Sequence, residues 1–254
     1  MISKAKIRYI RSLELKKNRM AERLFVAEGP KVVEELLRVL SPKILLATDS
    51  WAPVNTAFNA SELISITDDE LCKVSFLRTP QQVLGVFPMF SIDKAPVAEN
   101  ITAELSLALD GVQDPGNLGT IIRVADWFGI RRIFCSPNTA DVYNPKVVQA
   151  TMGSLARVNV VYMELETLLN GLPKNFPVYG TPTLNGESIY CQQLSAAGII
   201  VMGNEGNGIS ATIRKKITRR LFVPNFPEGK TSAESLNVAV ATAVVCAEFR
   251  RQQL

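Results

Sequence analysis

The sequence predicts an α/β protein of two domains, a smaller N-terminal one followed by a larger one built on a parallel sheet. The chain has 254 residues, of which 47% are hydrophobic, and this is enough to form more than one core. Short apolar runs alternate with helical patterns along most of its length, which is typical of α/β domains. The stretch 88–100 mixes proline, charge and small residues without periodicity, as linkers do. We therefore expect domains at 1–95 and 96–254.

The first 25 residues carry an excess of positive charge. They contain eight basic residues against two acidic ones, a net charge of +6, whereas the whole chain carries +4. Their loose alternation of basic and apolar positions over 3–23 predicts one cationic helix or two short ones. Such a segment suits contacts with RNA phosphates, although a solvated helix face has the same pattern. The cations expected to contact RNA are Lys4, Lys6, Arg8, Arg11, Lys16, Lys17 and Arg19.

The rest of the first domain alternates between strands and helices. Gly29 and Pro30 open a helix, because proline suits the first helical turn. Apolar runs predict strands on either side of it, and a second helical pattern lies between two of them. The predicted strands are 25–27, 44–46, 64–66 and 83–87, and the second helix covers 68–75.

The strand pattern restarts strongly after the linker. Its apolar runs are those of buried parallel strands, which alternate with helices. The predicted strands are 105–109, 133–135, 158–162, 178–179, 199–202 and 221–223, with helices at 119–128 and 235–251. Ligands of such sheets bind beyond the carboxyl ends of the strands, so the loops that follow the strands are where a site is expected.

Three of these loops carry unusual polar residues. The first, 110–120, leads into the helix that carries Arg123; the second, 203–208, places three glycines around Glu205; the third spans 223–237. Taken singly, each has an ordinary explanation as a turn or a helix cap, and for the third loop that explanation is the better one. Together they form a constellation that folding alone does not explain. Its members are Asn117, Arg123, Glu205, Ser235 and Asn237.

These segments resemble the three signature motifs of the SpoU family of RNA ribose 2′-O-methyltransferases, within the SPOUT superfamily. The first motif is NLGTIIRVA at 117–125, the second is GNEG at 203–206, and the third is VP at 223–224 with SLNV at 235–238. The resemblance covers the C-terminal 150 residues. The loop 225–233 departs from it by being longer than is common in the family.

The N-terminal part resembles the substrate-binding domain of the same family, which is related to ribosomal L30e-type RNA binders. The residues that carry this resemblance are FVAEG at 25–29, with the helix that follows, and TPQQVLGV at 79–86. The implied architecture is an L30e-like α/β RNA-binding domain ahead of a SPOUT α/β-knot domain, whose parallel sheet is threaded as a trefoil knot.

The resemblance also implies a chemistry and a set of roles. The family binds S-adenosylmethionine through backbone groups, and Arg123 contacts the ribose hydroxyl and assists its deprotonation. Asn117, Glu205, Ser235 and Asn237 would hold Arg123, the flipped nucleotide or a phosphate in place. The implied cofactor contacts are Gly203, Val223, Leu236, Thr181, Pro182 and Pro224. A homodimer is implied because family active sites are completed across the interface of two copies, and no metal is needed.

Composition excludes several other classes. The chain has no histidine, which removes Ser-His-Asp and Cys-His catalysis, and its four cysteines lack the spacing of a zinc site. No signal peptide or apolar run of membrane-spanning length is visible, so we expect a cytoplasmic protein without a membrane partner. The first loop does not fit a dinucleotide-binding loop. A non-catalytic RNA-binding protein of ribosome assembly stays open as an alternative, and the RNA could be ribosomal, which we favour, or transfer RNA.

Overall fold

The computed structural model describes residues 2–51, 59–90, 101–181, 187–226, 233 and 235–254. The chain forms two compact units, and each has its own sheet. The first unit comprises residues 1–91 and 141–156, and the second comprises 92–140 and 157–254. Most of the linker predicted at 88–100 lies outside the described residues. The segment 141–156 belongs to the first unit, whereas the predicted boundary at 95 places it in the second domain.

The predicted strands all form, with small shifts at their ends. The helices are α1 (Lys4–Ser12), α2 (Lys16–Glu22), α3 (Pro30–Leu37), α4 (Asp68–Val74), α5 (Pro115–Trp127), α6 (Pro145–Ala150), α7 (Leu165–Asn170), α8 (Ala211–Arg214) and α9 (Val238–Arg251), with a 3-10 turn at Ser154–Ala156. The strands are β1 (Leu24–Glu28), β2 (Ile44–Ala47), β3 (Glu62–Ser65), β4 (Val83–Pro88), β5 (Leu105–Asp110), β6 (Arg132–Cys135), β7 (Asn159–Tyr162), β8 (Val178–Gly180), β9 (Glu187–Ser188), β10 (Gly198–Gly203) and β11 (Arg219–Phe222). No helix in the described part of the chain is long and apolar enough to cross a membrane.

The first unit is built on a mixed four-stranded sheet in the order β1-β4-β2-β3. Strand β4 is antiparallel to both of its neighbours, while β2 and β3 are parallel. Its core joins the sheet to α1 and α4 through side chains such as Ile10, Leu46, Leu71 and Leu84, all 1% exposed or less. Helix α4 begins with a capping box between Thr67 and Glu70, which supplies partners for two backbone amides at that end.

The cationic N-terminal segment forms two short helices, as one of the two sequence interpretations expected. Ser3 caps α1 by accepting a hydrogen bond from the backbone of Lys6, and α2 ends at Arg23 in the left-handed conformation. The two helices leave most of the predicted RNA-binding cations on the surface. The exposed ones are Lys4, Arg8, Arg11, Lys16 and Lys17.

Arg19 does not fit that prediction, because it lies in the core of the first unit. Arg19 is 1% exposed. Its guanidinium donates hydrogen bonds to the carbonyls of Leu13 and Glu14 and forms a 2.5 Å ion pair with Asp141. A buried guanidinium whose two terminal nitrogens are both engaged inside the protein cannot reach a phosphate. Arg19 is thus a structural residue that ties α2 to the returning segment. Lys6 is also engaged, in a 2.5 Å ion pair with Glu62.

Asp141→Ala is expected to lower the free energy of unfolding by about 2 kcal/mol, because it leaves the buried Arg19 charge without its carboxylate partner. Urea unfolding followed by circular dichroism measures this. Lys17→Ala, a change of an exposed cation on the same helix, should stay within about 0.5 kcal/mol of the wild type. Equal stability of the two variants would contradict the structural role of the Arg19 ion pair.

The second unit is built on a seven-stranded sheet in the order β7-β6-β5-β10-β8-β11-β9. All of its pairings are parallel, as the near-continuous apolar runs predict. One core cluster joins Phe134 and Val201 of the sheet to Leu165 and Leu168 of α7. On α9, Phe249 packs edge-on against Tyr179, with ring centroids 4.8 Å apart. The sheet is therefore covered by apolar contacts that hold its strand ends in register.

Two helix boundaries differ from the prediction for the same reason, which is side-chain capping. Helix α5 begins four residues earlier than expected, because Asp114 caps it by accepting from the backbone of Asn117 at 2.8 Å and Pro115 fills its first turn. Helix α9 begins at Val238 rather than Ser235, because Asn237 is its cap. Ser235 and Leu236 therefore lie in the loop that precedes α9.

Candidate active site

The carboxyl ends of four adjacent strands place the predicted loops along one edge of the second unit's sheet. Strands β5, β10, β8 and β11 are neighbours in that order and are all parallel. The loop after β5 begins at Gly111, the loop after β10 begins at Asn204, and Val223 follows β11. Residues widely separated in sequence are thereby brought to one edge, which is where ligands of parallel α/β sheets bind.

A chain of hydrogen bonds joins the three motif loops at this edge. The side-chain amide of Asn237 donates to Asn117 at 2.9 Å, and the amide of Asn117 donates to Glu205 at 3.0 Å. The side-chain oxygen of Asn237 accepts hydrogen bonds from the backbone amides of Ala239 and Val240. Asn237 therefore serves as a helix cap and as a member of the site at once, so the two interpretations of this residue are not exclusive.

The loop after β10 is also tied to the loop after β5 by residues outside the predicted set. The side chain of Asn204 donates to the carbonyl of Gly111 at 2.7 Å, and its oxygen accepts from two backbone amides of its own loop. The carboxylate of Asp110, 9% exposed, accepts from the backbone of Ser210 at 2.7 Å. Asp110 ends one strand and Asn204 directly follows another. This position at strand ends is the sequence signal from which both residues could have been predicted as part of the site. They brace the loop that carries Glu205.

Gly203 occupies a position where the backbone packs too closely for a side chain. A Cβ built there would lie 2.3 Å from the carbonyl carbon of Gly208 and 2.4 Å from the backbone nitrogen of Ile209. Gly206, in the same loop, has only a side-chain oxygen of Asn204 at 3.6 Å from such a Cβ. Glycine is therefore required at the first position and optional at the second.

Arg123 and Ser235 are not members of the hydrogen-bonded chain. Arg123 is exposed on α5, and its guanidinium has no hydrogen bond or ion pair with another residue among those described. Ser235 is exposed in the loop before α9 and likewise makes no side-chain hydrogen bond within the described part of the chain. The structure thus brings together three of the five predicted polar residues and leaves two free to contact a ligand.

The predicted cofactor contacts follow the same edge. Thr181 comes directly after β8, while Val223 and Pro224 come directly after β11, and all three are half-buried. Leu236, in contrast, is 51% exposed. Pro182 lies outside the described residues, as do residues 227–232 of the long loop.

Two of the four cysteines, Cys135 and Cys246, are buried in the second unit. Burial raises the pKa of the Cys246 thiol to about 12, and burial also raises the pKa of Cys135, so both thiols stay protonated at neutral pH. Over the described residues there is no group of three or more Cys, Asp or Glu side chains that could hold a metal ion.

A parallel sheet whose loops are joined by hydrogen bonds at its carboxyl edge is typical of α/β enzymes that bind a ligand at that edge. The model of the SpoU rRNA Methylase family matches residues 104–247, and that of the MRM3-like substrate binding domain matches residues 4–85. The protein belongs to the SpoU rRNA methylase family.

Relatives support this membership over almost the whole chain. The 23S rRNA (guanosine(2553)-2′-O)-methyltransferase RlmP of Bacillus subtilis is 33% identical over 249 residues, 96% of each chain. A TrmH-family protein from Porphyromonas gingivalis superimposes with a TM-score of 0.87 at 40% identity, covering 99% of both chains. The AdoMet-bound rRNA methyltransferase of Sinorhizobium meliloti has a TM-score of 0.84 at 27% identity, covering 100% of this chain and 97% of that one.

Proposed function

We propose that the protein transfers a methyl group from S-adenosylmethionine to a ribose 2′-hydroxyl of ribosomal RNA, and that the RNA is 23S ribosomal RNA. The observation that carries the proposal is the hydrogen-bonded chain from Asn237 through Asn117 to Glu205, which joins the three family motifs. Arg123, in the first of these motifs, makes no hydrogen bond or ion pair with the other residues that the structure describes. The choice of RNA rests on RlmP, whose name gives 23S rRNA as its substrate and which aligns with almost all of this chain.

The sheet edge offers the kind of surface that S-adenosylmethionine requires. This cofactor supplies an electrophilic methyl group on a sulfonium centre, and it has no phosphate that would need a cluster of cations. Close backbone packing at Gly203 and the half-buried Val223 and Pro224 provide main-chain and apolar contacts. The exposed Leu236 gives a further apolar surface beside them. Thr181 and Pro182 would complete the cofactor-binding set.

Arg123 acts on the nucleophile in this proposal. A ribose hydroxyl has a high pKa, so its oxygen must lose a proton as it bonds to the methyl carbon, while the carbon–sulfur bond breaks and leaves a neutral thioether. A guanidinium stays protonated in proteins, so Arg123 stabilises the developing negative oxygen by charge and hydrogen bonds, and the proton passes to solvent. Asn117, Glu205, Ser235 and Asn237 position the nucleotide for an in-line attack.

The proposal is tested by methyl transfer from labelled S-adenosylmethionine to purified RNA from a strain that lacks this protein. The RNA fractions are 23S, 16S and transfer RNA. Ribose methylation is then mapped in each labelled fraction. We expect label at a 2′-hydroxyl in 23S RNA alone. Label in transfer RNA would correct the substrate, and no label in any fraction, with the cofactor not bound, would leave the non-catalytic RNA-binding alternative.

The N-terminal unit is proposed to hold the RNA through its exposed cations. Lys4, Arg8, Arg11, Lys16 and Lys17 are available on the surface, and Lys6 would have to leave its ion pair with Glu62. An L30e-like relationship for this unit and a trefoil knot in the second unit are part of the same proposal. A cytoplasmic location, the lack of a membrane partner and the lack of a metal requirement are further parts of this proposal.

We also propose that the protein acts as a homodimer through α5 and α9. Trp127 at the end of α5 is 84% exposed, and it lies on the same helical face as Arg123. On α9, Val240 is 51% exposed and shares a face of small apolar residues with Ala243, Val244 and Ala247. Helices α5 and α9 pack against each other, so both exposed faces belong to one pair of helices. A second copy of the chain would cover them.

Val240→Glu is expected to convert the dimer to a monomer, because it places a charge within an apolar interface. Light scattering coupled to gel filtration measures the mass, and methyl transfer should fall with it if the partner completes the site. Lys215→Glu, a change of charge at an exposed residue of the same unit but outside this face, serves as the control. A monomeric wild type would contradict the dimer without affecting the assignment of the reaction.

A further inference from the structure

The first unit contains a small cavity that the proposed reaction does not use. It has a volume of about 160 Å³ and is formed by the turn between α1 and α2, by β1, by residues 76–77 and by α6. The side chains that give it chemical character are Glu14, Glu28, Phe76, Lys146 and Gln149. One wall is therefore supplied by the returning segment 141–156, which the sequence assigns to the other domain.

Glu28 is the most unusual residue of this cavity. It is 5% exposed, and burial raises the pKa of its carboxyl, against the opposing effects of hydrogen bonds from Ser75 and the backbone of Phe76 and of the charge of Arg11. The amide of Phe76 donates to it at 2.8 Å, and the hydroxyl of Ser75 donates to its other oxygen. These two bonds fix the carboxylate without occupying all of its acceptor positions. A buried carboxylate is thus held in place at a cavity wall.

The rim of the cavity belongs to the cationic surface. Arg11 lies over the ring of Phe76, with 5.6 Å between the guanidinium carbon and the ring centroid, and donates to the carbonyl of Ser75 at 2.8 Å. Lys146 is exposed and lines the cavity. An RNA strand whose phosphates contact these cations would pass across the opening.

Size limits what the cavity could accept. Ligand sites for whole small molecules usually have volumes of roughly 300–1,000 Å³. A volume of about 160 Å³ is smaller and suits one planar group, such as a nucleobase, rather than a nucleotide or a cofactor. Two carboxylates as acceptors suit a base with an exocyclic amine, since Glu and Asp accept from such amines, and uracil has none. The ring of Phe76 supplies an apolar wall beside them.

We propose that this cavity receives an unstacked base with an exocyclic amine from the RNA held by the cationic helices. Glu14 and Glu28 would accept hydrogen bonds from the amine, while Arg11 and Lys146 would contact the flanking phosphates. The proposal rests on the proposed function in one respect, namely that RNA is the ligand of this unit. It assigns the first unit a role in choosing the RNA sequence as well as in binding phosphates.

The test compares the affinity of the full chain for oligocytidylate and oligouridylate of equal length by fluorescence anisotropy. The two strands have the same phosphates, and their bases differ in the exocyclic amine. We expect wild type to bind oligocytidylate about tenfold more tightly, a typical effect of one base contact. Gln149→Trp, which fills the cavity, should remove the difference and leave oligouridylate affinity unchanged. Equal affinity of wild type for the two strands would overturn the proposal.

Glu14→Ala is the second variant, since it removes an acceptor without adding bulk, and it should reduce the preference for oligocytidylate. Glu22→Ala is its matched control, because it removes the same charge from an exposed residue outside the cavity and should keep the preference. A preference that survives both Gln149→Trp and Glu14→Ala would also overturn the proposal. The measured quantity is RNA affinity and does not depend on methyl transfer. A failure of the proposed reaction can therefore be distinguished from a failure of the proposed base-binding cavity.

Discussion

Arg123→Ala is expected to reduce methyl transfer by about a thousandfold while leaving the binding of S-adenosylmethionine unchanged. The size of the loss follows from removing the one charge assigned to the developing negative oxygen. Arg123 is exposed and makes no hydrogen bond or ion pair with other described residues, so its loss should not alter the site around it. Alanine is also the best helix former, so α5 should be retained. Single-turnover methyl transfer to 23S RNA and calorimetric titration with the cofactor measure the two effects.

Two variants separate the role of Arg123 from that of charge in general. Arg123→Lys keeps the charge but loses the planar fork of donors, and it should recover only part of the rate. Arg131→Ala removes an exposed arginine of the same unit, outside the motif, and should keep wild-type activity. If Arg123→Ala retained near-normal single-turnover rates, the arginine would have no part in the chemical step.

The fold of each unit could be predicted from local pattern, whereas the return of the chain to the first unit could not. Apolar runs located the strands because each strand carries its own signal of burial. No local pattern in the segment 141–156 indicates which unit it belongs to, because it joins the first unit through contacts with residues that are distant in sequence. Arg19 shows the consequence: its partner Asp141 is 122 residues away, so its charge looked like that of the solvated cations around it.

The sequence named three residues that the structure joins, but it did not give the geometry that joins them. The motifs named Asn117, Glu205 and Asn237, and the structure joins them in one hydrogen-bonded chain. The sequence could not reveal that Asn237 also caps α9, nor that Asn204 and Asp110 brace the loop beside them. These contacts depend on the order of strands in the sheet, which places loops about 90 residues apart at one edge.

Gly203→Ala is expected to lower the free energy of unfolding by about 3 kcal/mol and to abolish binding of S-adenosylmethionine. The added methyl group would lie 2.3–2.7 Å from backbone atoms of Gly208 and Ile209, which cannot move aside as a flexible side chain could. The loop must then shift, and Glu205 would shift with it.

Gly206→Ala in the same loop is the matched control for this change. Its nearest neighbour is a side-chain oxygen of Asn204 at 3.6 Å, so both stability and cofactor affinity should stay close to those of the wild type. Thermal unfolding with and without the cofactor, together with calorimetric titration, compares the two variants. Cofactor binding by Gly203→Ala at wild-type affinity would exclude the sheet-edge loop as the cofactor site. Because only one of the two glycines is required by packing, a loss in both variants would mean that loop flexibility, rather than close backbone packing, governs binding.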